Sequence, residues 1–201
     1  MPRAGTPWQA KGGAPDRPIT IGGLPGTGTT TACRKIAEIT GLTHHYTGQI
    51  FRDMAKERNL TLEAFGRYAE EHAEVDRELD DRQVELLKGG PVLLEGRLAG
   101  FLSQREGIPA FKVWFHAQPY VRAERVVRRE GGDVEDRMAQ MREREASERK
   151  RYLKYYGFDV NELGIYDMVV DTTEKTPMEI VGDVLDVFRR PARRWFEFWN
   201  R

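Results

Sequence analysis

GLPGTGTTT, Gly23 to Thr31, comes within one residue of the phosphate-binding pattern G-x-x-x-x-G-K-[ST]. Gly23, Gly26 and Gly28 permit turns and close backbone approaches that bring successive amides around an anion, with Leu24, Pro25 and Thr27 between them. Thr29 stands where the pattern has lysine. The backbone NH survives that exchange, and only a point charge on the terminal phosphates is lost. Thr30 stands where a hydroxyl would coordinate Mg²⁺, and Thr31 continues the run. A helix starting near Thr29 adds its positive end to the cradle. The competing reading is a glycine turn with no ligand.

Cations that could replace the missing lysine are arginines. Arg52 follows the second expected strand in YTGQIFRDM, and Arg97 follows the third in EGRLAG. Both belong at the sheet edge that carries the glycine loop, and Glu95 at the strand tip is placed to hold Mg²⁺ through water. Arg122, Arg125 and Arg129 repeat at helical spacing, flanked by Arg128. Arg142, Arg144, Arg149 and Arg151 alternate with glutamates in MREREASERKRY. Singly, each reads as a surface ion pair or a solvated helix face. As a group beside a phosphate loop they read as a closing lid.

Strands and helices must position these groups. Short apolar strands are expected in PITIGG (Pro18–Gly23), near Thr43 to Tyr46, in PVLLEG (Pro91–Gly96), in FKVWFHA (Phe111–Ala117) and in YDMVVDTT (Tyr166–Thr173), with helical patterns between them. Near-continuous apolar strands alternating with helices predict a five-stranded parallel sheet in a three-layer α/β/α fold. Two charged helical stretches interrupt the rhythm, at 47–89 and 130–157, and read as flaps over the carboxyl edge where open sheets bind ligands. TLEAF at Thr61 signals a fresh helix start.

At 201 residues the chain suits one domain. Acidic and basic residues balance to a formal net charge of +0, so no global field favours nucleic acid or a membrane surface. The single cysteine, Cys33, fits a reducing cytoplasm, and no apolar run approaches a membrane span. Residues 1–17, rich in Pro and Gly, read as a disordered extension. Residues 189–201 form a basic aromatic tail whose Trp195, Phe196, Phe198 and Trp199 make one apolar face, read as packing on its own domain rather than on a partner.

GLPGTGTTTACRKIAE, TGQIFRDMAKERNLTLEAFGRYAE, VLLEGRLAG, RVVRREG, REREASERKRYLKYYGFDV and YDMVVDTT together resemble the archaeal type of cytidylate kinase, in order, over about Pro18 to Phe188. The resemblance implies the P-loop kinase fold with a helical monophosphate-binding insertion and a lid. It also implies ATP as phosphoryl donor, CMP and dCMP as acceptors and an arginine-bearing lid; the residues read for these roles are the glycine loop for ATP, Thr47, Arg52 and Arg97 for the acceptor, and Thr30 and Glu95 for Mg²⁺. Arg97, Arg125, Arg129, Arg142 and Arg144 then carry the charge of phosphoryl transfer. A monomer in the cytoplasm is expected. Leu98 stands where bacterial relatives have an aspartate, and Ala146 where they have an acidic residue before the lid serine.

Two features carry alternatives. Asp80, Asp81, Arg82 and Gln83 either line the cytosine pocket or form a plain exposed helix face. His44 and His45 have no nearby cysteine or spaced histidine in the sequence, which speaks against a metal site. Among rival functions, another nucleoside monophosphate kinase such as adenylate kinase would share loop and fold, and a nucleotide-binding regulatory module could dispense with the lysine. A shikimate kinase lacks its acidic pair in THHYTGQIFRD, and no N-K-x-D or D-x-x-G stretch supports a GTPase.

Overall fold

The computed structural model describes residues 15–189. The β-branched run that opens it forms strand β1 (Ile19–Gly23), and its closing glycines lead into helix α1 (Thr29–Thr40). Strands β2 (His44–Tyr46), β3 (Leu93–Glu95), β4 (Phe111–His116) and β5 (Met168–Asp171) follow. All pair in parallel, in the order β2-β3-β1-β4-β5. The expected five-stranded sheet is therefore present. The registers place Ile21 opposite Glu95 and Gly23 opposite Phe115, so the glycine loop and the Glu95 tip leave the sheet at one edge.

Pleat alternation decides which layer each strand residue joins. Ile19, Ile21, Val113 and Phe115 face α1 and α8 (Pro177–Phe188), where Ile36, Val181, Val184 and Leu185 meet them. On the opposite face Trp114 packs with Leu98, Leu102, Val84 and Tyr166. Val84, Leu98 and Leu102 belong to or flank α4 (Ala73–Lys88) and α5 (Ala99–Arg105), and Tyr166 lies just before β5. Burial of each large aliphatic side chain contributes about 1.5–3 kcal/mol.

The first inserted stretch folds as α2 (Thr47–Glu57), α3 (Leu62–Glu71) and α4, which share a small core of Met54, Ala55, Phe65 and Val75. Thr61 caps α3 as its sequence signal predicts, accepting from the Ala64 amide at 3.1 Å. The second stretch is a single long helix, α7 (Val134–Tyr156), started by the Asp133 side chain. Helix α6 (Pro119–Glu130) precedes it and packs on it through Ala123, Val126 and Met141.

Of the expected extension, residues 1–14 lie outside the described residues, whereas Arg17 rests over the Phe188 ring at 4.7 Å. The aromatic stripe of the tail also lies outside them, beyond residue 189. Among the described residues no helix is long and apolar enough to cross a membrane.

Candidate functional site

The glycine loop is held open from outside. Gly26 and Gly28 take φ of 83° and 88°, a region that favours glycine. A Cβ on Gly26 would lie 2.4 Å from the Arg122 carbonyl oxygen, so no other residue fits there. Three successive loop carbonyls are engaged from elsewhere. Arg122 Nη1 donates to Pro25 O at 3.2 Å, Arg125 Nη1 to Gly26 O at 3.3 Å, and Thr172 Oγ1 to Thr27 O at 2.9 Å. Fixing the carbonyls on the outside leaves the cavity side of the loop to its amides. Helix α1 then starts at Gly28 with no side-chain cap and no acidic residue in its first turn. Its orphan NH groups and positive end are free to meet an anion.

Beside this helix end, Glu95 gathers three donors. Thr29 Oγ1 donates to its Oε1 at 2.8 Å and Thr30 Oγ1 at 2.6 Å, while His44 Nε2 lies 3.0 Å from Oε2. Burial pushes the Glu95 carboxyl up, but the bonds from His44, Thr30 and Thr29 and the nearby His44 charge outweigh it. The group is held below the ordinary carboxylate range, and so is ionised. Position 29 is thus tied to the strand tip instead of projecting a cation. Glu95 and Thr30 offer hard oxygen donors side by side, the set that Mg²⁺ takes.

His44 does have a cysteine neighbour in space. The ligand atoms of Cys33, His44 and Glu95 lie within 4.8 Å of one another, because α1 packs over β2 and β3. The sequence expectation of no cysteine nearby is therefore corrected. Cys33 is fully buried, and burial, with Glu95's charge as a second cause, raises its thiol well above the ordinary value. It is held as a thiol, whereas metals bind the thiolate.

Loop, Glu95 and lid line one cleft of about 1150 Å³. A site for one small ligand measures roughly 300–1,000 Å³, so this cleft has room for more than one. Gly23 through Thr31, Thr47, Glu95, Arg97, Arg125, Arg129 and Arg144 all line it. Arg125 also donates to Thr172 O at 2.6 Å and Thr173 O at 3.2 Å, making it a strut between the loop and the segment after β5. Arg97 pairs with Glu148 of α7, which Arg144 also reaches at 2.9 Å. The Arg97 Nε is buried without a partner. Arg52 and Arg142 are exposed and are not among the lining residues. Arg52 is bound instead to the Tyr46 hydroxyl at 2.6 Å and to Gly48 O at 3.0 Å. Arg122, expected only as part of a stripe, is buried and latched to Glu145 of α7 at 2.6 Å.

The end of the cleft away from the glycine loop is built by α4 and the last turns of α7. Here the four-residue cluster divides by helix face. Asp80 and Gln83 are buried and line the cleft, while Asp81 is exposed and Arg82 turns away to Glu57 and Glu78. Thr47 joins the two ends, its one hydroxyl proton shared between Gln83 Oε1 at 2.9 Å and Glu95 O at 3.1 Å. Asp76 pairs with Arg151 across the cleft at 3.7 Å, and Tyr152, Tyr155 and Tyr156 line the wall.

Sequence reasoning missed Thr172, Lys175, His44 and the three tyrosines. Lys175 lines the cleft and is paired with Asp183 at 2.6 Å. The TT pair after the fifth strand was a signal for Thr172. The tyrosines stood within a charged run, and nothing local marked their direction.

A family model described as the cytidylate kinase-like family matches residues 18–174. A cytidylate kinase of Pyrococcus furiosus is 53% identical over 159 residues, covering 79% of this chain and 81% of its own length. That of Methanocaldococcus jannaschii is 52% identical over 176 residues, covering 86% and 99%. Among solved structures, a shikimate kinase from Bacteroides thetaiotaomicron has a TM-score of 0.56 over 85% of this chain and 95% of its own, at 14% identity, a likeness of fold alone.

Proposed function

Because this chain belongs to the cytidylate kinase-like family, we propose that it transfers the γ-phosphoryl group of ATP to CMP, giving ADP and CDP, and that it also accepts dCMP. The observation that carries the reading is the continuity of the cleft. One cavity runs from an uncapped helix end with a glycine loop, past Arg97, to the polar end at Asp80 and Gln83. Two anionic substrates brought end to end need that shape. Half identity to named cytidylate kinases over most of the chain supports it.

The acceptor oxygen of CMP is already ionised near neutrality, so the reaction asks for alignment and charge neutralisation rather than a strong base. The free N–H groups of the loop between Gly23 and Thr31 hold the ATP phosphates, Pro25 having none and Thr27 giving its own to Leu24 O. Arg97 binds the acceptor phosphate, and its unpartnered Nε is a donor ready for an oxygen. The phosphate dianion competes with Glu148 for this guanidinium. Thr47 completes the acceptor side, Arg52 joins it on leaving its contacts with Tyr46 and Gly48, and Arg129 of α6 with Arg142 and Arg144 of α7 brings positive charge as the lid closes. Arg125 acts at the loop itself. Each such donor in a dry site is worth on the order of 2.7–4 kcal/mol in the transition state, enough together to replace a lysine. Mg²⁺ fits Thr30 and Glu95, where it would neutralise charge on the phosphates. A monomer in the cytoplasm suits a balanced surface charge and a single reduced cysteine.

A coupled assay of ADP formation with ATP and CMP, dCMP, UMP, AMP or GMP tests the proposal. CMP is expected to give the highest kcat/KM. Preference for AMP would make the chain an adenylate kinase. ATP binding with no turnover of any monophosphate would make it a regulatory module.

A further inference from the structure

Asp80 is only 5% exposed, yet its Oδ2 has no hydrogen-bond partner and no Lys or Arg is paired with it among the described residues. A buried carboxylate left in this condition is costly, and such groups concentrate where a ligand supplies the missing contact. Its Oδ1 receives a long contact from Gln83 Nε2, at 3.4 Å, and the Tyr156 hydroxyl also supports the carboxyl. Burial drives its carboxyl from the ordinary 3.8 up to about 6, although the Tyr156 hydroxyl and Arg105 favour the charge and Asp76 and Asp81 oppose it. At neutral pH the group is therefore largely an acceptor with a free lone pair.

Its surroundings describe what would fill the gap. Tyr152, Tyr156 and Leu98, which cluster with Val84 one turn along α4, and Phe51, which lines the same cleft, offer flat or apolar walls suited to an aromatic ring. The Gln83 amide beside Asp80 is held by Thr47 through its oxygen and carries an NH₂ whose contacts, 3.3 Å to Leu79 O and 3.4 Å to Asp80, are both long. Acceptor next to donor complements a ring edge with an amino group next to a bare ring nitrogen. Cytosine has that edge: N4 carries two hydrogens and N3 accepts. Uracil reverses both, placing O4 against the carboxylate and N3–H against the amide.

Building on the proposed CMP kinase activity, we propose that the unpartnered oxygen of Asp80 accepts a hydrogen bond from the exocyclic amino group of the acceptor's base, and that Asp80 thereby selects CMP over UMP. Asp81 and Arg82, one and two positions on, take no part, because the helix turns them to the other side. An adenine amino group would meet the same carboxylate, so Asp80 separates amino from carbonyl bases and leaves purine exclusion to the walls.

Equilibrium binding of CMP, UMP and the monophosphate of 2-pyrimidinone riboside, which lacks the 4-substituent, is measured by calorimetry on the full chain and on Asp80→Asn and Asp80→Ala. Binding is read directly, so the result does not depend on turnover, which tests the kinase reading separately. In the parent, CMP is expected to bind at least about tenfold tighter than either analogue, as for a site that loses a hydrogen bond to a polar group. Asp80→Asn, whose amide can also donate to O4, should lower the CMP-to-UMP ratio by about tenfold. Asp80→Ala should weaken CMP while leaving the pyrimidinone nucleotide nearly unchanged. A merely structural role would weaken all three ligands by one factor in both variants, and that pattern would overturn the assignment. So would a parent that binds the pyrimidinone nucleotide as well as CMP, or one that binds no CMP.

Discussion

Replacing Asp80 with Asn should stabilise the protein, and only above mildly acidic pH. The carboxyl titrates at 3.8 in the unfolded chain and at about 6 in the folded one, mainly because burial disfavours its charge. The native state therefore binds this proton more tightly. The resulting stability is fully present below about pH 3.8 and lost as pH rises through about 6. At ~1.4 kcal/mol per pH unit, the ionised side chain costs the native state about 3 kcal/mol at pH 8. Asparagine has the same shape and never ionises. The variant should thus unfold at higher denaturant concentration than the parent at pH 8, with a melting temperature raised by about 2–4 °C per kcal/mol, or roughly 6–12 °C. The advantage should shrink through pH 6 and disappear below pH 4. Urea titrations and calorimetric scans of both proteins across pH 4 to 8 measure it, always as a difference at matched pH, since other carboxylates titrate in both. An offset that does not change with pH, or a variant less stable than the parent at pH 8, would refute the reasoning. A more stable but less selective variant would mark Asp80 as a place where stability is given up for recognition.

Two further predictions concern the phosphate end. Glu95→Gln keeps an oxygen for Thr29 and Thr30 but removes the charge, so kcat should fall on the order of 10²–10³-fold. ATP binding in the absence of Mg²⁺ should change little, and initial rates with calorimetry separate the two effects. Arg97→Ala removes charge-assisted donors of about 1.5–3 kcal/mol, so the KM for CMP should rise about tenfold to a hundredfold while the KM for ATP holds. Unchanged CMP kinetics would remove Arg97 from the acceptor site.

The features legible in the chain alone are local. Ile19 to Gly23, Phe111 to His116 and Met168 to Asp171 are strands because short β-branched and aromatic runs bounded by turn residues suit a covered sheet. Gly26 and Gly28 announced a positive-φ loop, and Thr61 a helix start, because both depend on residues within a few positions of one another. The rank of Arg97 and Glu95 at a strand end was legible for the same reason.

Which of these groups meet depends on packing between distant parts of the chain. Thr29 and Thr30 bond Glu95 across 66 and 65 residues, and Thr172 reaches the loop carbonyl of Thr27 across 145. Strand order brings β3 beside β1, and no residue near either strand encodes that choice. Along α4, Asp80 and Asp81 are equivalent in sequence, and only the packing of α4 against the sheet and α7 buries one and exposes the other. Hydrophobic periodicity says that a helix has two faces. Which polar residues end up beside the cleft follows from the rotation at which its apolar residues dock, and Val84 and Leu87, buried against the sheet layer, set that rotation here.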